Sequence, residues 1–101
     1  MEQVSVAQLS QLAGSVSIVD VRESDEFHSG HVPGAVHIPL ATVPVRMAEL
    51  DRGQRHYIVC QAGGRSAQAC MFLAAQGFDV VNVAGGTGDW IAAGLPVVMG
   101  D

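Results

Sequence analysis

Apolar and β-branched residues are gathered in short runs along the chain rather than spread evenly. The four runs cover residues 17–21, 36–38, 56–60 and 79–83, and the second is the weakest. Short runs that do not alternate with polar residues are typical of strands buried on both faces, as in a parallel sheet. The pattern therefore predicts a strand at each of these positions.

Segments between the runs carry apolar residues at the spacing of a helix. They predict helices over residues 6–13, 24–27, 42–50, 66–76 and 87–93. Ser24 is the expected cap of the second helix. The fourth helix is the strongest, because it is rich in alanine and is followed by Gly77. Strands that alternate with helices indicate an α/β domain with a mostly parallel sheet, in which ligands bind beyond the carboxyl ends of the strands.

Length and composition fit one folded domain, which is expected to span residues 1–101. Hydrophobic residues make up 49% of the chain and charged residues 15%, which is typical of globular proteins. No apolar stretch is long enough for a membrane helix, and the first residues lack the pattern of a signal peptide. Two cysteines are too few for a disulfide framework. We therefore expect a cytoplasmic protein with no membrane partner.

Charge excludes several classes of function. Ten acidic residues outnumber five basic ones, and every basic residue is an arginine. Without lysine there is neither a nucleotide-binding loop that ends in Gly-Lys-Ser/Thr nor a Schiff-base enzyme. The net charge of −5 also argues against a nucleic-acid partner, since phosphate backbones are bound by clustered cations.

The segment with candidate chemistry joins the third run to the strongest helix. Its residues are Cys60, Gln61, Ala62, Gly63, Gly64, Arg65 and Ser66. Gly63 and Gly64 permit positive φ values, which let successive N–H groups converge on one anion. The helix N-terminus and Arg65 add positive charge, and Ser66 is expected to cap the helix.

A thiol in this position is expected to be rich in thiolate at neutral pH. Helix N-termini and neighbouring cations lower thiol pKa values to about 3.5–7.5, from about 8.5 for free cysteine. The alternative is that Cys60 is a small buried residue at the end of a strand, the common fate of free cysteine. The coincidence of two glycines, an arginine and a helix start favours a reactive thiol.

Four motifs follow one another along nearly the whole chain. They lie at residues 18–27, at 30–39 with the sequence Gly-His-Val-Pro-Gly-Ala-Val-His-Ile-Pro, at 60–66, and at 85–97. The third has the form Cys-x-x-Gly-x-Arg-Ser/Thr, and the fourth contains Gly-Gly-x-x-x-Trp and Gly-Leu-Pro-Val. Together they resemble the ordered motifs of rhodanese-type sulfurtransferases. The resemblance implies a three-layer α/β fold with a central, mostly parallel five-stranded sheet flanked by helices.

The same resemblance implies transfer of sulfane sulfur, with Cys60 as the catalytic residue that carries a persulfide and residues 61–66 as the substrate-binding loop. Four residues separate Cys60 from Arg65. Related phosphatases and arsenate reductases have one residue more, so this loop looks like the sulfur-handling version. Arg65 is the only cation in the loop, which slightly favours a thiol persulfide over thiosulfate as donor.

The expected donor is thiosulfate or glutathione persulfide, and the acceptor is cyanide, a thiol or a cysteine of a partner protein. We expect no metal and no organic cofactor. Two alternatives stay open. One is a relay that passes sulfur only between proteins, and the other is a non-catalytic interaction module on the same fold.

Other residues are expected to support the site or the core. Asp20 and Arg22 follow a strand near the loop, and a structural ion pair is favoured there over direct tuning of the site. His31 is expected to order its turn, and Trp90 to pack its helix. Cys70 is interpreted as a core cysteine, with resolution of the Cys60 persulfide as the alternative.

Overall fold

Five strands form a single sheet in the order β1-β5-β4-β2-β3, and every pairing in it is parallel. The structure is a computed structural model that describes residues 1–100. The strands are β1 (Gln3–Val4), β2 (Ser17–Asp20), β3 (Val36–His37), β4 (Arg55–Val59) and β5 (Asp79–Val83). The central strand β4 therefore lies between β5 and β2, and the residues that follow it lie in the middle of one sheet edge.

Helices connect the strands. They are α1 (Val6–Leu12), α2 (Ser24–His28), α3 (Val43–Arg46), α4 (Gly64–Ala75) and α5 (Gly86–Ala92), with 3-10 turns at Leu40–Thr42 and Met47–Glu49. No helix among residues 1–100 has the length and apolar character needed to cross a membrane.

Neighbouring strand residues face opposite sides of the sheet, and each side has its own core. Val19 and Ile58 pack on one side with residues of α3 and α4. Ile18 and Tyr57 pack on the other side with residues of α1 and α5. The sheet is thus the middle of three layers, which explains the uninterrupted apolar runs of its strands. The expected α/β fold with a five-stranded parallel sheet is confirmed.

Several local details differ from the sequence pattern. The strand Gln3–Val4 was not predicted, because two residues at a sheet edge form no apolar run. The predicted helix over residues 42–50 is only one short α-helix between two 3-10 turns. Pro44 lies in the first turn of that α-helix, where its missing N–H leaves no hydrogen bond unmade.

The expected cap at Ser24 is wrong by one position. Glu23 is the N-cap of α2, and its backbone N–H donates to Glu26 Oε1 at 3.0 Å. Ser24 is therefore the first residue inside the helix. An acidic residue suits this position because carboxylates near a helix N-terminus offset its partial positive charge.

The turn between β5 and α5 packs against the loop that follows β4. Thr87 N–H donates to the Cys60 carbonyl at 2.8 Å, and Gly88 N–H donates to the Gln61 carbonyl at 2.9 Å. Gly86 has a φ of +57°, and a Cβ there would lie 2.4 Å from the Cys60 carbonyl oxygen. The two backbones can therefore approach this closely only with glycine at position 86.

Gly86→Ala is expected to lower the free energy of unfolding more than Gly94→Ala. Both glycines have positive φ, so each alanine incurs a left-handed penalty of roughly 1–2 kcal/mol. A Cβ at Gly94 meets nothing within 4 Å. At position 86 the methyl meets backbone atoms, which adds about 1–3 kcal/mol. Urea denaturation followed by circular dichroism measures both variants, and equal losses would contradict the close approach.

Candidate active site

Cys60 directly follows the central strand and lies at the carboxyl edge of the sheet. The strand β4 ends at Val59, one residue earlier than its apolar run. Cys60 is 1% exposed, whereas Gln61 and Ala62 are exposed on the surface of the loop. The Gly63 N–H donates to the Cys60 Sγ at 3.1 Å. The sulfur is thus enclosed by the loop that starts with it.

One glycine of the loop is required by its conformation. Gly63 is the N-cap of α4 and has a φ of +107°. A Cβ there would lie 3.3 Å from the backbone nitrogen of Gly85. Gly64 does not have positive φ and is the first residue of the helix, so only Gly63 uses the conformational freedom that both glycines permit.

Ser66 does not cap the helix, contrary to expectation. It is the third residue of α4, and its side chain is turned inward. Its Oγ lies 3.3 Å from the Cys60 Sγ. The cap position belongs to Gly63, which has no side chain, and the sulfur accepts a backbone N–H in its place.

Burial raises the pKa of the Cys60 thiol, but hydrogen bonds lower it by more. These bonds come from the Ser66 hydroxyl and from the backbone N–H groups of Ser66, Gly63 and Ala62. The pKa of Cys60 therefore lies below the ordinary thiol value. Since these donors favour the charged form of the sulfur, the loop can hold a sulfur anion without a general base.

Asn82 completes the surroundings of the sulfur, although the sequence pattern did not single it out. It lies in β5, is 3% exposed, and accepts the Ser66 hydroxyl at its Oδ1 at 2.6 Å. Its Nδ2 donates to the Gly63 carbonyl at 3.3 Å. The available signal was a single amide inside the apolar run at residues 79–83, since a buried polar group needs a partner.

The Arg65 side chain forms a bidentate ion pair with Glu26 of α2. The distances are 2.7 Å from Nη1 to Oε1 and 2.9 Å from Nη2 to Oε2. The hydrogen bond from Arg65 lowers the pKa of the Glu26 carboxyl to about 2, and the pair raises the pKa of the guanidinium. The expected cation at the rim is present, but its charge is matched by a carboxylate that was not anticipated.

Arg22 joins three segments around the site. Its guanidinium pairs with Asp20, with Nη2 at 2.8 Å from Oδ2, and both side chains are buried. The same Nη2 donates to the Gly30 carbonyl at 2.9 Å, and Nη1 donates to Gln61 Oε1 at 3.1 Å. The ion pair favoured by the sequence is therefore present, and it also anchors the loop after Cys60.

His31 lies between α2 and β3, where it forms an isolated bridge with Val98. Its Nδ1 donates to the Phe27 carbonyl at 2.8 Å, and the two rings stack with centroids 3.7 Å apart. Its backbone pairs in both directions with Val98. Trp90 is buried, and its Nε1 donates to the Pro96 carbonyl at 2.8 Å. Both residues hold the C-terminal segment in place.

Cys70 is a buried free thiol in α4. Burial and the negative charge of Cys60 raise its pKa to about 11, so it is protonated at neutral pH. This agrees with a core cysteine. Within residues 1–100 there is also no group of three or more His, Cys, Asp or Glu side chains that could hold a metal ion.

Comparison with known proteins identifies relatives of the whole chain. A sequence model of the rhodanese-like domain family matches residues 5–93. A protein of Allochromatium vinosum named sulfurtransferase is 35% identical over 99 residues, which cover 97% of this chain and 92% of that protein. A candidate sulfur carrier protein of Bacillus subtilis, YrkF, is 46% identical over 77 residues. That match covers 75% of this chain and only 42% of YrkF.

A solved structure has the same architecture. The crystal structure of a rhodanese-related protein from Thermoplasma volcanium matches with a TM-score of 0.93 at 31% identity. The match covers 98% of this chain and 99% of that one. The arrangement of layers described above is therefore that of the matched structure.

Ser66→Ala is expected to raise the pKa of the Cys60 thiol by about one unit. The variant removes a hydrogen bond to the thiolate, and bonds to charged groups contribute about 1.5–3 kcal/mol, of which 1.36 kcal/mol corresponds to one pKa unit. As the pH is lowered, the variant should therefore lose its reactivity toward the alkylating agent at a higher pH than the wild type does. The rate of alkylation by iodoacetamide as a function of pH measures this shift.

The matched control is Ser10→Ala, whose hydroxyl donates within α1 to the Ala7 carbonyl. It should leave the alkylation profile unchanged. A profile that is the same for Ser66→Ala and the wild type would refute the role of the hydroxyl.

Proposed function

The chain belongs to the rhodanese-like domain family, and from this premise we propose that it is a sulfurtransferase in which Cys60 carries the transferred sulfur. The observation that carries the proposal is the buried Cys60 sulfur, which receives the Gly63 N–H at 3.1 Å and has a lowered pKa. The named sulfurtransferase and sulfur carrier among its relatives support sulfur transfer in general.

In the first step the Cys60 thiolate attacks the outer sulfur of the donor. A bond forms between Cys60 Sγ and that sulfur, and the S–S bond of the donor breaks. Its electron pair leaves with sulfite when the donor is thiosulfate, or with glutathione thiolate when the donor is glutathione persulfide. The negative charge then lies on the outer sulfur of a Cys60 persulfide, for which the N–H groups of the loop are suitable donors.

In the second step a nucleophile removes the outer sulfur. Cyanide would become thiocyanate, and a thiolate would become a persulfide, while the electron pair of the S–S bond returns to Cys60 as thiolate. The same features that stabilise the resting thiolate make it a good leaving group here. Neither displacement requires a metal or an organic cofactor, and a reducing compartment such as the cytoplasm would keep the thiol available.

The ion pair at the rim bears on the choice of donor. Thiosulfate carries its second charge next to the reacting sulfur, and the cation of the loop, Arg65, is already matched by Glu26. Glutathione persulfide carries its other charges farther from its outer sulfur. We therefore favour the persulfide as donor over thiosulfate.

A relay to a cysteine of a partner protein is the second candidate. The name of YrkF, a sulfur carrier, favours it, because carriers deliver sulfur to other proteins. A non-catalytic module is disfavoured, since a buried thiol with a lowered pKa is not needed for binding alone.

Incubation with glutathione persulfide or thiosulfate is expected to add one sulfur atom to the wild-type chain. Intact-mass spectrometry measures the gain. Cys60→Ser should show none, and Cys70→Ser, the matched control, should load like the wild type. Absence of the gain with every donor, or its persistence in Cys60→Ser, would sink the proposal.

Arg65→Ala is expected to lower kcat/KM for thiosulfate by about tenfold or more. It removes the cation at the rim and leaves Glu26 uncompensated, and charge-assisted bonds contribute about 1.5–3 kcal/mol, where each 1.4 kcal/mol is a factor of ten. The double variant Arg65→Ala/Glu26→Gln should recover part of the loss.

Steady-state kinetics with thiosulfate and cyanide measures these values, and alkylation verifies that Cys60 stays reactive in each variant. The matched control is Arg55→Ala, which breaks exposed ion pairs with Glu2 and Asp79 at the start of β4 and should leave the thiosulfate kinetics unchanged. Unchanged thiosulfate kinetics in Arg65→Ala would show that the arginine does not bind the donor.

A further inference from the structure

The orientation of the Asn82 amide is determined by its two neighbours. One of its polar atoms lies 3.3 Å from the Gly63 carbonyl oxygen, which can only accept a hydrogen bond. That atom must therefore be Nδ2, and Oδ1 faces the Ser66 hydroxyl at 2.6 Å. Since Oδ1 can only accept, the single proton of Ser66 points at Asn82 and away from the sulfur.

The Ser66 proton thus has two competing acceptors, Asn82 Oδ1 and Cys60 Sγ. When Cys60 is a thiol, its S–H can donate to Ser66 Oγ, and every group has a partner. When Cys60 is a thiolate, the hydroxyl must turn to the sulfur, and Asn82 Oδ1 loses its donor. Asn82 is 3% exposed and Ser66 0%, so water does not readily replace that bond.

In the persulfide, as in the thiol, the Ser66 hydroxyl donates to Asn82 and not to the sulfur. The charge of the persulfide lies on the outer sulfur, while Sγ is bonded to carbon and sulfur and is uncharged. A neutral divalent sulfur is a weak acceptor, so the hydroxyl returns to Asn82. Asn82 therefore stabilises the two forms with an uncharged Sγ relative to the thiolate.

We infer that Asn82 is a positioning residue that controls the Ser66 proton. Asn82 holds this proton away from Cys60 Sγ while Sγ carries the outer sulfur, and releases it when that sulfur is removed and Sγ becomes a thiolate. The part that concerns the persulfide rests on the proposed function. The part that concerns the thiol and the thiolate does not, because it follows from the contacts alone.

The direction in which the Cys60 thiol pKa shifts in Asn82→Ala distinguishes this role from a merely structural one. Asn82→Ala frees the Ser66 proton for the sulfur, so the thiol pKa should fall by roughly one unit, the size expected for one hydrogen bond. If Asn82 only braced the Gly63 carbonyl, its loss would loosen the Gly63 N–H from the sulfur and the thiol pKa would rise. The two roles therefore predict opposite shifts.

The experiment measures iodoacetamide alkylation against pH in the full chain carrying Cys70→Ser, which leaves Cys60 as the only thiol. Asn82→Ala is compared with Ser66→Ala and with the double variant. The fall in pKa should vanish in the Ser66→Ala background. A rise, no change, or a fall that persists without the Ser66 hydroxyl would overturn the inference.

Two further measurements complete the test. Asn82→Val removes the same amide, suits a β-strand and serves if the alanine variant does not fold. In persulfide-loaded protein, Asn82→Ala should release sulfur to cyanide several-fold faster than the parent, and an equal rate would overturn the persulfide part. If no donor loads Cys60, the proposed function fails while the thiol shift still decides the role of Asn82.

Charged groups near the sulfur do not confound the comparison. Arg65 and Cys70, both on α4, act on Cys60 through their charge or titration. Within residues 1–100 neither side chain hydrogen-bonds to the side chain of Ser66 or Asn82. Arg22 touches the loop through Gln61, so its effect is the same in every variant.

Discussion

The contact between two backbones at the carboxyl edge of the sheet is the constraint on which the site depends. The turn from β5 into α5 donates Thr87 and Gly88 N–H groups to the carbonyls of Cys60 and Gln61. With the carbonyls held on that side, the N–H groups of the following residues are left to face the sulfur. Glycine at position 86 permits this approach, so residues far apart in sequence together shape the sulfur site.

The electrostatics of the site are local and do not appear in a count of charges. The chain has a net charge of −5, and the one arginine of the loop is paired with Glu26. What favours a sulfur anion is a set of backbone N–H groups and one hydroxyl, which offset the cost of burying the thiolate. The charge balance therefore argues against extended polyanions as partners, while a small sulfur anion is compatible with it.

The sequence predicts the parts of this structure that depend on local patterns. The apolar runs locate the strands from β2 to β5, and the spacing of Cys60, Gly63 and Arg65 locates the loop. The partners that residues choose across the fold are not predicted. Serine is a common residue at helix N-caps, but Ser66 bonds to Asn82, sixteen residues away. Arg65 pairs with Glu26, thirty-nine residues away. These contacts depend on which strands are neighbours in the sheet, and the sequence pattern of a single segment does not indicate the strand order.

At the start of α4 the Cys60 sulfur takes the place of a capping side chain, and this links the fold to the chemistry. The first N–H groups of a helix have no partner within it, and a serine or aspartate side chain usually accepts them. Here the N-cap is Gly63, and the Cys60 sulfur accepts backbone N–H groups instead. A negative sulfur accepts these N–H groups better than a neutral one, so the charge that the proposed chemistry needs on Cys60 also completes the helix end. Ser66, released from capping, is free to lie beside the sulfur, where a single proton shared with Asn82 can follow the charge.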